Sequence, residues 1–142
     1  MAPENSAAAG RAVIIRARMT SRELASLVRE AALARKARDV VEIDLEGRSP
    51  ITDFFVICEG DTDRQTRAIA DSIREEAAKH GIKPFQTSGE GDGAWILLDF
   101  VDVIAHVFLP GERAFYDLES LWMAPPMTRL AAAPRRPRGK SL

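Results

Sequence analysis

The sequence predicts a single α/β domain in which a mixed sheet of about five strands is flanked by helices, in the order α-β-β-α-β-β-β-α. Three observations carry that reading. Residues 51–58 form an apolar run without alternation, which breaks at Gly60 and passes into a helix opened by Thr62. Residues 20–36 and 63–79 repeat apolar side chains at helical spacing behind Thr-x-x-Glu and Thr-x-x-Gln starts, the pattern of capping boxes. Residues 94–100 and 102–109 are two apolar runs with almost nothing between them, which demands an antiparallel hairpin.

Taken in order, residues 1–19 lack periodicity and contain Pro3, Gly10 and an alanine tract, so they read as a disordered leader, with Met19 as an alternative start. The domain proper is expected over 20–123. Leu24, Leu27, Val28, Ala31 and Ala32 give the first helix one apolar face. In residues 40–45, Val41, Ile43 and Leu45 alternate with Val40, Glu42 and Asp44, as in an edge or near-edge strand with one wet face. Residues 46–50 break it. The run from Phe54 to Cys58 is apolar at both parities, so both of its faces must be covered. Ile69, Ala70, Ile73 and Ala77 line the second helix until His80-Gly81 stops it. Pro84, Phe85 and Gln86 are at best a short strand, and residues 88–93 form a glycine-rich loop. The hairpin follows. Phe115, Leu118, Leu121 and Trp122 then mark one last short helix over 112–122, and a basic, proline-rich tail over 124–142 reads as disordered.

The 142 residues, 46% of them hydrophobic, suffice for one core and no second domain. A single cysteine, Cys58, excludes an intramolecular disulfide and lies inside an apolar strand, so a reducing, cytoplasmic setting and an inert thiol are expected. Arg11 interrupts the mildly apolar start, which argues against a signal peptide or membrane anchor. The formal net charge of -1 hides a segregation. Setting aside five basic tail residues, three basic leader residues and Glu4 from totals of 20 basic and 21 acidic side chains leaves 12 basic and 20 acidic, a core near -8. Such a core repels nucleic acid and attracts a cationic protein.

Gly60 at a strand-to-helix turn is a site where some proteins receive phosphate, yet Asp61 and Asp63 carry the wrong sign and no GxxxxGK or GxGxxG spacing exists. A structural cap is the better reading. Asp61, Asp63, Asp99 and Asp102 could instead cluster around magnesium, as nucleotidyl transfer requires, although no Lys or Arg stands among them to receive a triphosphate. A magnesium-dependent nucleotidyltransferase is therefore the alternative function. His106 sits among apolar hairpin neighbours with no nucleophile in a familiar local motif beside it, which favours packing or a partner surface over catalysis. Trp95 opens a hairpin strand and reads equally as core or as interface anchor, whereas Trp122 reads as core.

Ser49 through Cys58, the Asp63-Arg64-Gln65 start, Glu90-Gly91 with Trp95-Ile96-Leu97-Leu98-Asp99, Asp102 through Phe108, and Phe115 through Trp122 together resemble the ribosomal silencing factor (RsfS, Iojap-like) family over roughly residues 22–123. The resemblance implies a nucleotidyltransferase-like fold without the enzyme's active site, hence no catalysis and no cofactor. It implies binding to the large ribosomal subunit through universal protein fourteen and a steric block to joining of the small subunit, which represses translation. An assembly factor acting on immature large subunits shares the same surface. Carried over by motif, Trp95 matches the tryptophan of the family's partner contact, with Asp99, His106, Phe108 and Tyr116 as neighbours. The basic tails would add a minor rRNA contact, and exposed strand edges leave room for a homodimer in the free state. Two departures stand out. The family commonly has glycine where this chain has Val101, so a different turn geometry is expected there. Glu59, Asp61 and Asp63 replace smaller polar residues and raise the local acidity.

Overall fold

All six side chains of the strand Phe54–Glu59 are buried, and the rest of the domain is arranged around that fact. The computed structural model describes residues 19–123. Its elements are α1 (Ser21–Ala34), β1 (Arg38–Asp44), β2 (Phe54–Glu59), α2 (Asp63–Ala78), β3 (Gln86–Ser88), β4 (Trp95–Asp99), β5 (Val103–Phe108), α3 (Pro110–Tyr116) and α4 (Leu118–Met123). The five strands lie in the order β1-β2-β5-β4-β3. Only β2 and β5 run parallel; the other neighbours are antiparallel, so the sheet is mixed. The expected leader before Met19 and the basic tail after Met123 lie outside the described residues, while Met19 itself packs on the core.

Strand parity divides the sheet into two faces. On one face Phe54, Val56, Cys58, Ile96, Leu98, Val103, Ala105 and Val107 meet Leu24, Val28, Ile69 and Ile73 from α1 and α2. This is the larger core. On the other, Ile43, Leu45, Phe55, Ile57, Ile104 and Phe108 are covered by Leu118 and Trp122 of α4, with Trp95 and Leu97 only partly covered. Buried hydroxyls tie the helical layer together: Ser72 Oγ donates to the Ala31 carbonyl at 2.9 Å, and Thr66 Oγ1 donates to the Gly93 carbonyl at 2.7 Å. Burial pushes the Cys58 thiol up to about 12, which makes it a poor nucleophile.

Four local expectations need correction. Thr20 and Glu23 form the reciprocal capping box, but Gln65 does not complete one with Thr62. Its Oε1 accepts from the Asp61 N–H instead, and its amide nitrogen donates to the Arg35 and Lys36 carbonyls, which pins α2 to the end of α1. The third strand begins at Gln86 rather than at Pro84, since Pro84 has no N–H for the ladder. The final helix is two helices, because Asp117 adopts φ 47 and turns the chain between Tyr116 and Leu118. Aspartate tolerates that conformation better than most residues.

The fourth correction concerns Val101. The β4–β5 turn does not avoid a positive φ: Val101 holds φ 77, the Asp102 N–H donates to the Phe100 carbonyl at 2.9 Å, and the turn is therefore a γ-turn in its strained form. Two more bonds impose it, from Phe100 N–H to the Val103 carbonyl and from Val101 N–H to Asp99 Oδ1. A β-branched residue there costs about 1–2 kcal/mol relative to glycine, and glycine's extra freedom in the unfolded chain returns part of it. Val101→Gly is expected to raise stability by about 1 kcal/mol. In urea the midpoint should rise with an unchanged slope; a lower midpoint would show that the γ-turn is not strained.

Candidate partner-binding site

The β4–β5 register sets Trp95 opposite Phe108 and Leu97 opposite His106, so Trp95 and His106 are diagonal neighbours on one sheet face. The Trp95 indole Nε1–H donates to His106 Nδ1 at 3.1 Å. Its ring lies 4.9 Å from Phe108 and 4.6 Å from Tyr116, centroid to centroid. Phe55 stands edge-to-face with His106 at 4.5 Å and with Trp122 at 5.8 Å. The result is a continuous aromatic cluster running from the buried sheet face to the surface of α3. Tyr116 is 43% exposed and Phe115 53% exposed, and Trp95 is half-buried.

Of the five residues singled out from the sequence, Trp95, His106, Phe108 and Tyr116 are brought together. His106 at 4% exposure and Phe108 at 1% lie beneath the surface, so within this conformation only Trp95 and Tyr116 offer area to a partner. Burial pushes the His106 pKa down to about 3, and the imidazole is neutral with its proton on Nε2, because Nδ1 accepts. Asp99 is not part of the cluster. It sits four residues along β4, roughly 13 Å away, where its carboxylate caps the Val101 N–H.

The four-aspartate constellation also separates. Asp61 and Asp63 follow the C-terminal end of β2, while Asp99 and Asp102 flank the turn beside its N-terminal end. A six-residue strand puts roughly 20 Å between the pairs, too far to share metal ions about one phosphate. No group of three or more His, Cys, Asp or Glu side chains among the described residues could hold a metal ion.

Sequence reasoning missed a buried ionic network under α3. Arg113, 9% exposed, donates through Nη1 to Glu59 at 3.2 Å and through Nε and Nη2 to Glu119 at 3.1 and 2.6 Å. Arg38 bridges Glu59 at 3.0 Å and Asp61 at 3.1 Å. The acidity expected from Glu59, Asp61 and Asp63 is therefore largely neutralised, since Arg67 pairs with Asp63 as well. One signal could have revealed it: a carboxylate at the end of a wholly apolar strand needs a cation. Glu112 on α3 and Asp117 at its cap, next to Tyr116 in the chain, have no ion pair among the described residues, while Arg48 donates to the Trp122 carbonyl at the other end of the cluster.

These features define a mixed α/β domain that carries, among the described residues, a partly exposed aromatic cluster on one sheet face. Solved structures share the architecture: a crystal structure of a Chromobacterium violaceum protein superposes with a TM-score of 0.73 at 32% identity, covering 75% of this chain and 89% of that one. A second, from Bacillus halodurans, gives 0.65 at 40% identity, covering 71% and 94%. The ribosomal silencing factor RsfS of Bacillus subtilis is 36% identical over 112 residues, 79% of this chain and 95% of that protein. The RsfS of Halalkalibacterium halodurans is 39% identical over a similar span. Residues 18–141 match the family described as "Ribosomal silencing factor during starvation", and the chain belongs to that family.

Proposed function

We propose that this protein is a non-catalytic repressor of translation that works in the cytoplasm. It docks on the large ribosomal subunit through universal protein fourteen and keeps the small subunit away by occupying space. The observation that carries the reading is the aromatic patch of Trp95, Tyr116 and Phe115, which stays open beside Glu112 and Asp117 on a sheet face only partly covered by α4. A partly exposed tryptophan already ordered by its neighbours loses little freedom on binding, so its contact area converts efficiently into affinity. The negative charge of Glu112 and Asp117 suits a basic ribosomal protein by steering it and by opposing rRNA phosphates elsewhere. Arg129, Arg135, Arg136, Arg138 and Lys140 would meet those phosphates.

Sedimentation of isolated subunits with an excess of the protein tests this directly. The peak of joined ribosomes should shrink while the protein travels with the large subunit; an undiminished peak refutes the reading. Trp95→Ala should lower affinity for large subunits roughly ten- to a hundredfold, as for a central aromatic anchor.

A further inference from the structure

We propose that His106 is a positioning residue: its buried Nδ1 receives the Trp95 indole N–H and selects which edge and face of Trp95 the sheet shows to a partner. The proposal rests on the docking role assigned to Trp95 above. Phe108 and Tyr116 pack against the indole at tilts of 30° and 45°. Such ring contacts are directional only weakly, and an indole turned over about its χ2 bond could still be packed by both. The hydrogen bond is different. Only one of the two flips directs Nε1 at His106, and the 3.1 Å bond locks that one.

His106 is an odd choice for packing alone. It lies among Phe55, Phe108 and Trp95, where an aliphatic side chain would fill the space without a polar atom. The imidazole instead leaves Nε2 with no hydrogen-bond partner among the described residues, a liability inside an apolar layer. What it supplies in return is an acceptor at one point. A further consequence concerns the partner. With its N–H satisfied internally, Trp95 offers only π and C–H surface outward, which suits an aliphatic stem or a guanidinium rather than a hydrogen-bond acceptor.

The test uses three variants of the full chain. In His106→Asn the side-chain carbonyl oxygen is as many bonds from the backbone as Nδ1 is, so the acceptor survives. In His106→Gln the amide lies one atom further out, and His106→Leu has no acceptor. Indole N–H signals of the free protein, assigned with Trp122→Phe, should show a Trp95 proton that exchanges slowly with water in the parent and in His106→Asn. Exchange should be at least tenfold faster in the Gln and Leu variants. In co-sedimentation with large subunits, His106→Asn should bind within about threefold of the parent, and the other two should bind at least tenfold more weakly. A packing role gives the opposite order, because Asn removes the most volume, and that order overturns the proposal. Fast indole exchange in the parent overturns it without any variant. A parent that never sediments with large subunits overturns the docking reading, and the proposal with it, even where slow exchange is found; a parent that binds beside volume-ordered variants overturns the positioning role alone.

Discussion

Replacing Arg113 with methionine is expected to cost about 3 kcal/mol, which for a domain near a hundred residues lowers the melting temperature by more than about 10 °C. The loss does not come from packing, since Met nearly fills the aliphatic volume of Arg. It comes from the carboxylates left behind: Glu59, whose side chain is 9% exposed, would keep only the Arg38 contact at 3.0 Å, and Glu119 would lose both of its bonds to the guanidinium. A buried carboxylate stripped of one cation cannot recover its hydration. Arg38 is half-exposed and its pairing is partly screened, which places the cost at the low end of the range for broken buried pairs rather than at zero. Burial by itself pulls the Arg113 pKa down, but the hydrogen bonds and charges of Glu119 and Glu59 outweigh it and leave the pKa raised, so the guanidinium stays charged. Removing Glu59 as well removes the more deeply buried liability: Arg113→Met with Glu59→Leu should regain a good part of the lost stability, the remainder being the loss at Glu119, which is more exposed. Chemical denaturation of the four proteins in the cycle decides the matter. A single variant that loses less than about 1 kcal/mol, or a double variant no better than the single, would sink the account.

This network also shows what a sequence conceals. Glu59 and Arg113 are 54 positions apart and meet only because β2 and β5 are parallel neighbours and α3 folds back over their ends. No local spacing encodes that encounter. Elements whose hydrophobic pattern repeats over many residues were legible: α1, α2 and the uniformly apolar β2 follow from periods of 3.6 and from the absence of alternation. Single-residue decisions were not. Asp117 breaks the last helix through one left-handed residue, and Gln65 finds the Asp61 N–H one residue upstream of the one a capping box would use. Val101 keeps a positive φ because three hydrogen bonds outvote its side chain. At the site, Trp95 was recognisable as an aromatic at a strand start, whereas Tyr116 entered only through the family resemblance. The pairing of Trp95 with His106 depended on a register that places them diagonally, and a one-residue slip would have put them on opposite faces.

Gly89→Ala should be almost as damaging as the loss of Arg113, and it acts on the backbone of Trp95. Gly89 opens the β3–β4 connection with φ +85, and an added Cβ would sit 1.8 Å from the Trp95 carbonyl oxygen and 2.8 Å from its carbonyl carbon. Both are backbone atoms of a paired strand, so no side chain can rotate away. Either β4 shifts at Trp95 or the loop opens and gives up the Gly93 N–H bond to the Gly89 carbonyl. The left-handed backbone costs an alanine about 1 kcal/mol and the collision adds about 2, for a total near 3 kcal/mol. Gly47 separates the two contributions, because it has φ +78 and no atom within 4 Å of the added Cβ. Gly47→Ala should therefore cost only about 1 kcal/mol. Urea midpoints for the two variants give the difference directly, and equal losses would remove the collision from the explanation. Since the strand must move at Trp95, Gly89→Ala should also disturb the indole's hydrogen bond to His106 and weaken binding to large subunits, whereas Gly47→Ala should leave both unchanged.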